Sequence, residues 1–473
     1  MQKLISKYGL AAHLAFLAVA PLFLFPHFAA STIATVELWL SLFAAIWLVM
    51  EPSRRAGEML HDARFRVMGA ILHDPLFWVM VALTLFAGLR WANTGVGTAY
   101  DLEKELWSIR SPHVAIFPGS VKDAGFLPFS IALAATVLLA GCRHALGKAA
   151  RMSYLFTSSS LAGLAAIVGA ILLKEEHPAI QAATKCVLTN ASYVGAAFGL
   201  HFLAAVAVLP GVFECRWNKL LILFALSIGG TATGLYFFSP VVVTMAFLAA
   251  GLLLLIAALA YSGFFLGGST AFKCAASLVV SVLIPVLCVM WLSSDEVNAA
   301  RLPVLSGDFD KCFADGFAET RDLLSSISSK VWEENRWMGT GIGSFALDVR
   351  FNAAPEDWSV LKTGQLTPLN GWWYLLVERG IVGALALALV LAFLCWTFIR
   401  RLIAALGKEF FFPACVLGPV ACLVIVAETF IDTSFLRMDV MLALAGQMAI
   451  AASFFPVPVA KAKKEDVKLK AGN

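Results

Sequence analysis

Apolar residues recur along this chain in blocks of about 20, the length a helix needs to cross a hydrocarbon layer. The pattern predicts spans at 8–30, 31–50, 76–94, 126–142, 154–173, 190–211, 219–238, 240–262, 274–293, 369–398, 409–431 and 438–456. The connections are mostly short and polar, so consecutive helices should run antiparallel. The exception is 294–368, a long polar stretch. It divides the chain into spans one to nine (1–293), a large loop (294–368), spans ten to twelve (369–456) and a basic tail (457–473). The expected fold class is all-α, a polytopic membrane helix bundle of about twelve transmembrane helices with one large outer loop. The first run ends at Ala29 and Ala30, small residues that also suit a signal-peptide cleavage site. It is longer than a usual signal core and a second span follows at once, so a retained helix is the expectation.

Lys and Arg set the orientation, because they accumulate on the cytoplasmic side of short connections. One set of connections holds Lys3, Lys7, Arg54, Arg55, Arg64, Arg66, Arg143, Lys148, Arg151, Arg216, Lys219, Lys273, Arg400, Arg401 and Lys408. The short loops of the opposite set hold only Arg90, Lys104, Arg110, Lys122, Lys174, Lys185 and Arg437. Both termini are therefore expected in the cytoplasm and 294–368 outside.

Composition agrees with the pattern. Of 473 residues 60% are hydrophobic and 14% charged, and the mean hydropathy is +0.83. A soluble domain would have roughly a quarter of its residues charged, so a soluble enzyme and a disordered chain are both excluded. The net charge of +4 is small and spread out, which argues against nucleic acid as a partner. Membrane lipids are expected partners, and the Lys-rich tail suits anionic headgroups. The nine cysteines form no CxxC pair. Cys274, Cys288, Cys395, Cys415 and Cys422 read as small core hydrophobes, whereas Cys186 and Cys312 lie outside and could form a bridge in an oxidising compartment.

Candidate chemistry gathers in the large loop and the span after it. Phe313, Phe317, Leu324, Ile327 and Val331 recur at helical spacing, which predicts an amphipathic helix over 311–332. Arg321 sits on the flank of that stripe, either turned toward a membrane-facing cleft or snorkelling with its stem on the bundle. Gly339, Gly341 and Gly343 permit a tight turn before Phe345, and also close backbone approach to a diphosphate. Trp332, Trp337 and Trp358 either stack on sugar rings or fill a small loop core. Glu378 and Arg379 fall in the opening turns of the tenth span, where ionisable groups usually face a cavity or partner. A second outer loop, 92–125, with Asp101, Glu103, Glu105, Trp107 and Arg110, suits a short surface helix. No metal cluster and no cofactor are implied.

The run Asn335-Arg336-Trp337-Met338-Gly339-Thr340-Gly341-Ile342-Gly343-Ser344-Phe345, followed by Asn370-Gly371-Trp372-Trp373-Tyr374-Leu375-Leu376-Val377-Glu378-Arg379-Gly380-Ile381-Val382-Gly383, resembles the O-antigen ligase and polymerase family of bacterial envelope glycosyltransferases. Phe77-Trp78, His201-Phe202 and the stretch Glu428–Asp439 add weaker similarity, as does the large loop before the tenth of twelve spans. Such a resemblance implies an inner-membrane protein whose large loop is periplasmic. Its partners would be a polyprenyl-diphosphate-linked oligosaccharide or polysaccharide as donor, and a lipid-A core or growing glycan chain as acceptor. Arg321 and Glu378 would be catalytic, while Arg336, Arg350, Arg379, Trp337 and Asn370 would bind substrate.

Two positions depart from the family pattern. Leu369 stands where ligases place a histidine, and leucine neither accepts a proton nor donates a hydrogen bond. Ser239-Pro240 stands where many members carry Ser-Arg. Glu378 would then be the replacement base, and the loop arginines would hold the diphosphate. The alternative is a non-catalytic relative that binds lipid-linked glycan or scaffolds an assembly complex. A twelve-span transporter ranks below both, because almost no charge lies deep in the spans.

Overall fold

The computed structural model describes residues 13–19, 30–101, 106–110, 120–121, 124–175, 193–214, 221–239, 241–292, 318–359, 361, 370–405, 413–430 and 438–454. Helices dominate. In chain order they are α1 (Ala30–Met50), α2 (Leu60–Leu72), α3 (Pro75–Ala92), α4 (Phe126–Ala145), α5 (Lys148–Lys174), α6 (Tyr193–Glu214), α7 (Leu221–Phe238), α8 (Val241–Tyr261) and α9 (Gly268–Leu292). They continue with α10 (Ala318–Glu334), α11 (Phe345–Asn352), α12 (Gly371–Ala405), α13 (Pro413–Glu428) and α14 (Met438–Phe454).

Eight helices among the described residues are long and apolar enough to cross a membrane, and three shorter apolar ones, in α7, α13 and α14, accompany them. Each lies on one of the runs read from the pattern. The run 8–30 falls largely outside the described residues, although 13–19 are helical. The chain is thus an all-α polytopic membrane bundle. α6 is its axis, buried at every position from Val194 to Gly211, whereas α9 turns most of its surface outward. Around α6, the rings of Phe198, Phe224, Phe238 and Phe247 are fully enclosed. Lipid tails are as apolar as these side chains, so close packing has to supply the cohesion. α5 and α7 show how: a Cβ on Gly230 would fall 2.6 Å from the Gly163 carbonyl oxygen.

The bundle has two distinct ends. At one, Ser53 N donates to Ala145 O at 2.8 Å and Gly147 N to Ser53 Oγ at 2.7 Å. Beside them Asp74, which caps α3 by accepting from Leu76 N, is clamped by Arg143 Nη1 at 2.6 Å and His144 Nε2 at 2.8 Å. At the other end the loop elements form a collar. Leu324, Ile327 and Val331 of α10 pack with Phe345 and Val349 of α11, Leu361, and Val377 of α12. Each such apolar side chain contributes roughly 1.5–3 kcal/mol when withdrawn from water.

One expectation changes. The described residues of 92–125 form a sheet where a short surface helix is expected: β1 (Thr94–Asp101) pairs antiparallel with β2 (Leu106–Arg110) and parallel with β3 (Ser120–Val121), in the order β2-β1-β3. Val96, Thr98 and Tyr100 alternate with Gly95, Gly97 and Ala99, a period of two that suits a strand and starves a helix face. The amphipathic loop helix is seen over Ala318–Glu334, in keeping with the stripe Leu324, Ile327 and Val331; Phe313 and Phe317 lie outside the described residues. So do Cys186, Cys312, Leu369, Pro240, residues 457–473 and the side chain of Cys395. Cys274 and Cys415 are buried and Cys288 and Cys422 half-buried, none of the four in a disulfide.

Candidate functional site

The centre of the collar is a break in α12. Gly380 has φ 64° and ψ −173°, outside the helical region. A regular helix would pair Ile381 N with Val377 O and Val382 N with Glu378 O. Here the glycine turn takes all four groups. Ile381 N donates to Arg336 O at 2.8 Å and Val382 N to Trp337 O at 3.1 Å. In return Thr340 N donates to Val377 O at 2.8 Å and Gly341 N to Glu378 O at 3.1 Å. Two intrahelical bonds become four bonds across the contact, so none of these four backbone groups is orphaned.

The turn needs its glycines. Gly339, Gly341 and Gly343 have φ of 71°, 110° and 79°, a region that L side chains rarely enter. Its far side is tied to the sheet, with Val121 N donating to Ile342 O at 2.8 Å and Ser120 bridging Ile342 in parallel. Ser120 N also donates to Asn93 O, which joins the sheet to the end of α3.

Glu378 lies inside this assembly with no exposed surface. Its Oε1 accepts from Gly343 N at 2.8 Å, and the Tyr374 hydroxyl and Phe345 amide also face the carboxylate. A carboxylate at the start of α11 meets the positive end of that helix dipole. Oε2 is buried and has no hydrogen-bond partner among the described residues. Two guanidiniums are its electrostatic neighbours. Arg90, at the end of α3 and 4% exposed, donates through Nη2 to the Glu378 carbonyl oxygen at 3.4 Å. Arg379 is half-buried, and its Nε has no partner among the described residues. Two cations and one anion leave the spot electropositive.

Below the turn Thr340 donates to Asp348 Oδ2 at 3.0 Å, and Ser344 donates to Gly341 O at 2.8 Å. Burial pushes the Asp348 carboxyl up to about 6, against the pull of the Thr340 and Ser344 hydroxyls, with Glu334 pushing the same way as burial.

The other candidates are distributed around this centre. Asn370 caps α12, its Oδ1 accepting from Trp372 N at 2.9 Å and Trp373 N at 3.2 Å. Arg336 lends its carbonyl to the break while its exposed guanidinium lies 5.6 Å from the Trp332 ring centroid. Trp337 does the same with its backbone and leaves its indole 71% exposed. Arg350 is exposed on α11, and Arg321 is half-buried on α10. Glu378, Arg379, Arg336 and Trp337 are therefore brought together at the break, and Asn370 caps the helix about three turns above it. Arg350 takes no part in the contact.

Several buried ionisable groups lie beyond the sequence candidates. Arg90 reads from its neighbours as a loop charge, and Asp348 as an ordinary loop acid, yet the fold buries both in the collar. Glu37, 1% exposed within α1, is a lone acid in an apolar span, itself a signal. Among the described residues no cluster of His, Cys, Asp and Glu could hold a metal ion. No family profile matches the chain, and no curated protein does.

Proposed function

We propose that the chain is a glycosyltransferase of the O-antigen ligase and polymerase type, acting at the periplasmic face of a bacterial inner membrane on glycan linked to polyprenyl diphosphate. The observation that carries this reading is the meeting of Arg90 and Arg379 at the break in α12, directly under the glycine turn. Guanidinium forks suit the paired oxygens of a diphosphate, and a donor of this kind keeps its tail in the bilayer while its sugars stay outside.

In the proposed reaction an acceptor hydroxyl attacks the anomeric carbon of the donor. The bond from that carbon to the diphosphate oxygen breaks, and the electron pair leaves on the polyprenyl diphosphate. The two arginines neutralise the charge that develops there. The acceptor proton goes to Glu378 Oε2, since Oε1 is engaged by Gly343 N. Trp337 and Arg336, exposed beside the turn, are the proposed surface for sugar rings and their anionic substituents.

A second reading has its own support. Asn370 is occupied as a helix cap and Glu378 as an acceptor for the turn, and Leu369 occupies the histidine position. A relative that binds lipid-linked glycan without turnover needs the arginines and not the base. The test is transfer by the purified protein in bilayers, with polyprenyl-diphosphate-linked glycan supplied and binding measured in parallel. Transfer that disappears in Arg90→Ala and Arg379→Ala supports the enzyme. Binding without transfer in the unaltered protein selects the second reading, and neither binding nor transfer removes both.

A further inference from the structure

The strongest unexplained feature lies at the end of the bundle opposite the collar. α2 is a 13-residue helix between two spans, and it carries two apolar stripes. Ala63, Val67 and Ile71, four residues apart, are buried against the bundle. Phe65, Met68 and Leu72 recur at three and four residues on the opposite face, 66%, 51% and 52% exposed.

This outward stripe is rigidly presented. Arg64 Nε donates to Met50 O at 2.7 Å, and Arg66 bonds both Glu58 and Ser53 O. At the other end His73 leads into Asp74, which Arg143 and His144 clamp. The stripe also runs on without interruption into the outer surface of α3. Trp78, 53% exposed, donates its indole N–H to Leu72 O at 2.8 Å, and Leu85 and Leu89 continue the same face. Arg54 and Arg55, both exposed, stand just before the helix.

We propose that α2 is an in-plane lipid-binding helix: Phe65, Met68 and Leu72 enter the acyl boundary, and Arg54 and Arg55 engage the phosphates of anionic headgroups. Three things on the structure select lipid as the occupant. The stripe is continuous with the outward apolar surface of a candidate span. The indole N–H bond leaves Trp78 in the half-polar setting such side chains adopt at an interface. Of the charges at the helix entrance, Glu58 is taken up by Arg66 while Arg54 and Arg55 stay exposed, with Glu51 and Asp62 as the exposed acids nearby; exposed cations beside an apolar stripe are the combination that places amphipathic helices about 5–10 Å into the headgroup boundary. This proposal does not depend on the glycosyltransferase reading.

The test places a photo-crosslinker on the full-length protein in its membrane, as Phe65→p-benzoylphenylalanine or Met68→p-benzoylphenylalanine, with the same substitution at Trp39 as a mid-span reference. Lipid adducts on the peptide containing 60–72 are expected. A protein adduct there, or no adduct where the Trp39 position labels lipid, overturns the proposal. For the headgroups, the protein is placed in bilayers of equal phosphatidylcholine and phosphatidylglycerol, and the lipid retained around it is weighed by mass spectrometry. Loss of phosphatidylglycerol preference by about fivefold for each of Arg54→Gln and Arg55→Gln is expected. Unchanged preference in the double variant overturns the anionic part.

Discussion

Gly339 and Gly380 lie back to back with no room for a side chain on either. A Cβ on Gly339 would fall 2.5 Å from Arg379 N, and one on Gly380 would fall 2.3 Å from Trp337 O. Both also have positive φ, so an alanine at either site meets backbone strain as well as a clash with atoms that cannot rotate away.

Gly380→Ala should therefore release the turn from α12. Strain of this type costs about 1–3 kcal/mol before the clash is added. The expected result is a lower unfolding midpoint in detergent, together with faster amide exchange at Thr340 and Gly341. Protection unchanged at those two amides would contradict the exchange of hydrogen bonds described for the break.

Glu378→Gln and Glu378→Ala separate two roles of one side chain. Glutamine keeps an oxygen for Gly343 N but accepts no proton; alanine offers neither. If the carboxylate is the base, both variants lose glycan transfer by at least 100-fold, in the range typical of general-base removal. If it only holds the turn, the glutamine variant retains transfer and the alanine variant alone loses it. Amide exchange at Gly343 should be normal in the first variant and accelerated in the second.

Asp348 gives the collar a pH dependence. An aspartate normally titrates at 3.8, and burial holds this one at about 6. Between those values the folded collar binds more protons than the unfolded chain, so its stability falls as pH rises through the window and levels off above it. Amide exchange of the segment 340–348 should be slowest near pH 4, after correction for the intrinsic pH effect. Asp348→Asn keeps an acceptor for Thr340 and should be flat across the same range, and more protected than the unaltered protein above pH 6.

Asn370→Ala should cost about 1 kcal/mol, the usual loss when a helix N-cap is removed. Asn370→Asp, which can still accept from Trp372 N and Trp373 N, should cost much less. A large loss of lipid-linked glycan binding in both variants, without a loss of stability, would return Asn370 to the substrate-contacting set.

What the chain disclosed before folding depended on range. Runs such as 241–261 are apolar for the length of a span and were legible from hydropathy alone. α2 was not, because Arg64 and Arg66 interrupt its 13 residues and its two stripes only make sense once one of them is packed. The strands were hidden by the charges at Asp101, Glu103 and Glu105, which suggested a solvated helix and outweighed the alternation just before them. The three glycines announced a turn ahead of Phe345. What that turn grips was not readable, since Glu378 lies 35 residues away from Gly343 and nothing local marks the bond. Arg90 is further still: it reaches Glu378 across 288 residues, and from its own neighbourhood it is just the last charge of a span.

The break at Gly380 also changes how α12 bears load. Residues 371–379 and 381–405 form two rods joined by one flexible residue, and such a joint would swivel if it stood alone. The turn spans it as a splint, fastened to the upper rod at Val377 and Glu378 and to the lower rod at Ile381 and Val382. A pull along α12 therefore passes through the turn and on, by Ile342, into the small sheet. With the splint in place the helix tilts as one piece and carries the collar with it; with the splint detached, the two rods would point independently.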